Sequence, residues 1–567
     1  MRYRSHHLLG RGCLTWPLLL LPVALVLAAK PSKDPERRFV STGADGRLVY
    51  ETDPKGNRVV DFSRCGYEGG GVALPEVPVR VVVPPSREDN GERIQAALDY
   101  VAQLPADRHG LRGAVLLLAG EHPVAGRLRI SASGVVLRGQ GEHQTILRAT
   151  GTNRRTLIQI VGRPDRPGPS PLRFTVADAY VPVGSRRLRL NTTHGLKAGD
   201  RVRLEHPGTA AWIAALGMNR FPSDKDDSWL DWRPGTMPIR WDREIVALEG
   251  DTVTLDAPVT TALDAAHDAS TVEVPDCSGR LRQVGVENLR CESAFDSRHP
   301  RDEEHAWTAI RLEAAEDAWV RQVSMAHFAG SAVSIGGSCR AITVEDCTAL
   351  QPISEIGGYR RHTFYTAGQL TLFQRCRSEE GRHDFAVGYL AAGPNAFVDC
   401  TATAAHNFSG PIESWASGVL YDNVTIDGGG LELTNREIDD QGIGWAAANC
   451  VLWQCSASVI VCRQPPTAQN WAVGCWGQFV GDGHWRSMNE FVKPVSLYRA
   501  QLADRLGEQA VANLHARPIP ADPGKALPID QVSRPRSAQG LARVPPAPPL
   551  TVRKGWLVRG GQLLTGS

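Results

Sequence analysis

Five titratable side chains fall within six residues at Glu379-Glu380-Gly381-Arg382-His383-Asp384. A histidine flanked by a guanidinium and a carboxyl can move a proton near neutral pH, and the guanidinium fork can clasp a carboxylate. Upstream stand Tyr359, Arg361, His362 and Tyr365. Downstream come His406-Asn407, Glu413, Trp415, Arg436 and Asn470-Trp471. Such residues also make solvated loops, as the charge run Asp439-Asp440 illustrates, and tryptophans also fill cores. Trp415 and Trp471 sit beside polar residues, which suits stacking against sugar rings. The basic residues comprise 55 Arg and 8 Lys, with no lysine between Lys225 and Lys493. Proton abstraction in this stretch therefore falls to Arg, His or Tyr.

Two reactions on a sugar polymer fit these side chains. Elimination at a uronate needs a base for the proton α to the carboxyl group, a cation for the charge that develops, and an acid for the departing oxygen. Hydrolysis needs two carboxyl groups, about 5–5.5 Å apart for retention or ~6.5–9.5 Å for inversion. Glu355, Glu380, Asp384 and Glu413 supply enough carboxyl groups. The density of Arg, His and Tyr favours elimination on an acidic polymer. Arg382 and His383 are expected as neutraliser and base, with His362 and Tyr365 as alternates. Glu355 and Asp384 are expected to orient them, or, with Glu380, to bind calcium. Arg361, Glu355, His406, Asn407, Glu413, Trp415, Arg436, Asn470 and Trp471 are expected to contact substrate. A non-catalytic binding solenoid is the third reading, but it predicts regular rungs without a concentrated titratable cluster.

An internal repeat must position these groups. Val286-Glu-Asn-Leu289, Val320-Arg-Gln-Val323, Val344-Glu-Asp-Cys347, Phe373-Gln-Arg-Cys376, Phe397-Val-Asp-Cys400, Tyr421-Asp-Asn-Val424, Leu452-Trp-Gln-Cys455 and Ala472-Val-Gly-Cys475 align, their last positions 34, 24, 29, 24, 24, 31 and 20 residues apart. A floor near 20–24 residues with variable excess reads as solenoid rungs that tolerate insertions on one side. The rungs hold short alternating runs with Gly, Asn or Asp at corners and no helix between them, which predicts an all-β chain folded as a right-handed parallel β-helix. Equal offsets after each cysteine landmark would then bring Glu355, His383, Asp384, His406 and Asn407 near one another. The recurring cysteines read as a buried internal stack, with one bridge among Cys450, Cys455 and Cys462 left open.

Asp89-Asn90 can start a helix whose Ile94, Ala97, Leu98, Val101 and Leu104 share one face, a suitable cover for the open end of a solenoid. From Asn90 to Gly141 the chain, with that helix followed by GAVLLLAGEHPV, LRIS and GVVLRGQG, resembles the opening of pectate-lyase-superfamily β-helix proteins. The resemblance extends more loosely over 280–480. It implies a carbohydrate-active fold, most often a polysaccharide lyase, with glycoside hydrolases as the alternative.

The remaining organisation follows from composition. Residues 1–28 read as a bacterial-type signal peptide, with Arg2, Arg4 and Arg11 ahead of the apolar run Leu14–Ala29, so the protein is expected to be secreted or periplasmic and free of the membrane after cleavage. A 29–88 extension leads to the first rungs (89–170), a β-rich insertion (171–275), the main rungs (276–490) and a C-terminal helix, Pro-rich strap and strand pair (491–567). Net charge of +2 gives no footprint for nucleic acid. A polysaccharide is the expected partner, and the chain is expected to be a monomer.

Overall fold

The computed structural model describes residues 39–167, 172–220, 231–267, 269–438, 443–515 and 517–532. The expected signal peptide, Asp439-Asp440 and the terminal strand pair lie outside them. Among the described residues no helix is long and apolar enough to cross a membrane.

Three stacks of parallel strands form a β-helix. The first runs from Val79–Val83 through Gly113–Leu117, Val135–Arg138 and the start of Leu281–Ser293, and on to Leu372–Gln374, Ala416–Asp422, Trp471–Val473 and His484–Arg486. The second includes Gly120–Val124, Thr348–Leu350, Arg377–Glu379, Thr401–Thr403, Thr425–Leu433, Ser456–Cys462 and Trp476–Val480. The third orders Leu128–Ile130, Thr156–Val161, Thr308–Glu313, Ser331–Ile335, His362–Thr366, His383–Val387 and Gly410–Pro411.

The aligned repeat marks one corner of this helix. Its third positions, Asn288, Gln322, Asp346, Arg375, Asp399, Asn423, Gln454 and Gly474, all have φ between 51° and 68°, the left-handed region. That single residue turns the chain from the first stack into the second. Asn and Asp tolerate this conformation, but Gln322 and Arg375 adopt it too, so packing on both sides enforces the bend where residue type does not.

The fourth positions point inward. Cys347, Cys376, Cys400, Cys455 and Cys475 are all free and fully or almost fully buried, and each thiol donates to backbone carbonyls, as Cys347 Sγ does to Glu345 O at 3.3 Å. All eleven described cysteines are free, including Cys450, Cys455 and Cys462. Beside them Phe373, Phe397 and Tyr421 stack with centroids 4.7 and 5.0 Å apart. These rings make a rigid floor under the strands that carry the titratable cluster.

The helix Gly91–Gln103 buries Ile94, Ala97, Leu98 and Val101 against the first rungs. Asn90 does not cap it. Its amide reaches Pro84 O at 3.0 Å and His122 Nδ1 at 2.9 Å, and Asp89 accepts from Gly91 N instead. Between the third-stack strand Thr156–Val161 and Leu281, the strands Arg173–Thr175, Thr271–Glu273, Arg201–His206, Ile239–Glu249, Thr252–Leu255 and Arg187–Arg189 form an antiparallel sheet. The C-terminal helical run divides into Leu497–Leu506 and Glu508–Ala512, because Gly507 stands at φ 80° and breaks the helical path.

Candidate functional site

The strands His362–Thr366 and His383–Val387 pair in parallel, with His362 opposite His383 and Tyr365 opposite Ala386. The imidazoles meet edge to face, centroids 5.1 Å apart. His362 also lies between two tyrosines, 6.1 Å from Tyr359 and stacked 6.4 Å from Tyr365. Tyr359 is 39% exposed, so this end of the cluster meets solvent.

Each imidazole is fixed as one tautomer. His383 Nδ1 donates to Phe408 O at 2.7 Å, and His362 bonds the Gly358 carbonyl. Both Nε2 atoms are buried without a partner. A ring nitrogen in that state carries an unshared lone pair on a neutral imidazole, the protonation state from which a general base starts.

Cations surround the pair. Arg382 donates to Gly358 O at 2.8 Å, and Arg436 donates to Ile412 O at 2.6 Å while lying 5.1 Å over the Phe408 ring. Burial, then Arg382, pushes the His362 pKa down to about 3. Burial, then the neighbouring His362, holds His383 well below the imidazole range.

The sign of the linkage follows. Between about 3 and the ordinary imidazole value of ~6.5, the unfolded chain binds protons that folded His362 refuses. The stabilising contribution is complete above that window and is lost as pH falls through it. The melting temperature of the wild type should therefore fall from pH 7 to pH 4 more steeply than that of His362→Gln. Equal slopes would contradict this assignment.

Glu413 completes the cluster. Its Oε2 accepts from Tyr365 Oη at 3.0 Å and from the Tyr389 backbone N–H at 2.6 Å. Burial raises the Glu413 pKa, opposed by those two bonds and by Arg436. Burial and then Glu413 push the Tyr365 phenol well up. A proton is thus retained between phenol and carboxylate. Gly388 makes the contact achievable, since a Cβ there would overlap the Tyr365 hydroxyl.

The structure brings together His362, His383, Tyr365, Glu413, Arg382 and Arg436, and turns the other expected residues elsewhere. Glu355 does not reach the cluster: the 351–361 loop displaces it, His362 takes the ladder position beside His383, and Glu355 pairs with Arg301 at 2.9 Å. Asp384 turns to the Ser378 hydroxyl, and burial lifts its pKa to about 6. Arg361 binds Ser354 O at 2.9 Å and Glu380 O at 3.2 Å. Glu355, Glu380 and Asp384 are therefore not gathered as a calcium set. Among the described residues, no three His, Cys, Asp or Glu side chains are grouped to hold a metal ion.

His406 is exposed and contributes its backbone N–H to Gly381 O at 2.8 Å, while the Asn407 side chain accepts from Phe408 N at 2.8 Å. Asn470 is fully buried and ties Cys450 N, Ala447 O and Arg463 O, a structural bracket between rungs.

Neither expected sugar platform is on the surface. Trp471 is 3% exposed and lies against Phe39. Trp415 is fully buried, 5.2 Å from Trp212 and 6.3 Å from Trp232, where the antiparallel insertion packs on the rungs. Trp415→Ala is expected to cost about 3–5 kcal/mol of stability. An unchanged melting temperature with weakened glycan binding would instead restore the stacking role.

Sequence reasoning missed Gly388 and Tyr389. Tyr389 holds Glu413 through its backbone, and its hydroxyl donates to Thr236 O of the insertion at 3.1 Å. The one available signal was the Gly-Tyr pair closing the run after His383.

No family model and no curated protein matches the sequence. Among solved structures, the tailspike protein gp49 from Pseudomonas phage LKA1 aligns with TM-score 0.36 and 13% identity over 67% of this chain and 68% of that one. Alginate lyase from Paenibacillus sp. str. FPU-7 gives TM-score 0.35 and 8% identity over 72% and 99%. Polygalacturonase from Erwinia carotovora ssp. carotovora gives TM-score 0.35 and 11% identity over 74% and 98%.

Proposed function

We propose that this chain is an exported polysaccharide lyase that cleaves a uronate-containing polymer by β-elimination. The observation that carries the reading is the pair of tautomer-fixed imidazoles with buried, unpartnered Nε2 atoms, set among Arg382, Arg436 and the Tyr365–Glu413 couple. Export rests on the N-terminal apolar run, and the finer fold reading is a right-handed solenoid whose first rung is closed by the helix Gly91–Gln103.

In this reading Arg382 and Arg436 hold the uronate carboxylate and stabilise the charge that develops on it. His362 Nε2, buried and unpartnered before substrate enters, takes the proton α to the carboxyl group. The electron pair of that C–H bond forms the new double bond, and the C–O bond to the leaving sugar breaks. Tyr365 gives its proton to the departing oxygen, and the imidazolium proton later restores the phenol. His383 stands behind His362 as a positioning residue.

Paired-carboxylate hydrolysis has less support. The groups acting on Glu413 are Tyr389, Tyr365 and Arg436, and Asp384 is committed to Ser378. Incubation with a panel of uronate polymers tests the choice. Ultraviolet absorbance from a conjugated product should rise in step with reducing ends. Reducing ends without that absorbance would assign the site to hydrolysis.

A further inference from the structure

The outer surface of the second stack carries a separate polar track. Thr348, Arg377, Thr401, Thr425, Ser456 and Trp476 stand opposite one another in successive strands. At about 4.8 Å per rung they form one straight column of roughly 24 Å. Their chain neighbours Ala402 and Ile426 point into the core, whereas the column itself is exposed or half-exposed. At its end Trp476 is 38% exposed and Phe491 is 84% exposed, the largest exposure of any large apolar side chain among the described residues. Their rings lie 5.3 Å apart. None of these residues touches the His362 cluster, which belongs to the third stack.

A protein partner would call for a contiguous apolar centre ringed by polar residues. Here the apolar surface is confined to one end, and the rest is a line of hydroxyls and one guanidinium at regular intervals. That arrangement matches a chain ligand with repeating hydroxyl groups. The indole face takes the C–H side of a sugar ring, the Thr and Ser hydroxyls both donate and accept, and Arg377 complements a carboxylate bidentately. We propose that this column is a second, non-catalytic binding track for an acidic polysaccharide chain, with Trp476 and Phe491 as its stacking platform. It stands whether the third-stack site eliminates or hydrolyses.

Affinity electrophoresis of the full chain in gels containing polygalacturonate, alginate or neutral dextran tests this. At least one uronate polymer should retard the wild type, and dextran should not. Trp476→Ala should bind that polymer about 2- to 12-fold more weakly, and Trp476→Phe should retain most of the affinity. Thr425→Glu, an exposed substitution that places a like charge on the track, should also weaken retardation, and its melting temperature checks that it folds. Wild-type retardation of both Trp476→Ala and Thr425→Glu would overturn the proposal, as would retardation by neither uronate polymer. Sedimentation showing a wild-type dimer that Trp476→Ala disperses would overturn it too, by assigning the patch to a second copy of this chain.

Discussion

His362→Gln is expected to lower kcat on a uronate polymer about 10²- to 10⁴-fold, the range spanned by loss of a positioned general base. Glutamine fills similar space but offers no basic nitrogen. The substitution also removes an imidazole that is buried neutral with an open Nε2, so stability at low pH should rise as activity falls. That opposition separates a catalytic role from a structural one, because a merely structural histidine would lose stability and activity together. Arg382 and Arg436 remain in place, so KM should change little. A variant that keeps full kcat removes His362 from the reaction and leaves His383, fully buried behind it, as the base.

Gly388→Ala is the second large effect. The added methyl would occupy the space of the Tyr365 hydroxyl and press on Glu413 Oε2, which stands 2.9 Å from the Cβ position. The strand cannot yield cheaply, since His383–Val387 is paired on both sides, to His362–Thr366 and to Gly410–Pro411. Tyr365 must therefore leave Glu413, and the proton held between them is lost to the leaving group. The expected result is a fall in kcat of about 10²-fold or more, with an overpacking cost of about 1–3 kcal/mol. Tyr365→Phe should reproduce the loss of kcat without the overpacking, its only stability cost being one hydrogen bond to Glu413. If Gly388→Ala is destabilised yet turns over normally, the phenol–carboxylate couple is structural.

The rungs were legible in the sequence because one repeat position is physically demanding. The residue before each landmark bends the chain through the left-handed region and the landmark itself fills the interior, so both leave a trace whatever the surface does. Register on the third stack was less legible. Counting forward from Cys347 places Ser354 and Glu355 beside His383, but the 351–361 loop intervenes and His362 takes that position. Insertions are absorbed at this corner, so offsets measured from the opposite corner lose their meaning there. The same limit explains the tryptophans: polar neighbours in the chain say nothing about Trp415, because the residues that bury it, Trp212 and Trp232, come from an insertion some two hundred positions earlier. The cluster types were readable, since Arg, His and Tyr were the options left by the missing lysines. Which histidine lies next to the exposed Tyr359 is visible only in its ring contacts with Tyr359 and Tyr365.

The central claim is that the glycosidic bond is broken by elimination, without water. Cleavage of a uronate polymer in heavy-oxygen water, followed by mass spectrometry of the released oligosaccharides, tests it most directly. Elimination predicts products that carry no solvent oxygen fixed at the cleavage step and an unsaturated sugar at the new non-reducing end. Products carrying one heavy oxygen per bond broken, with saturated ends, would contradict the account and assign the cluster to hydrolysis.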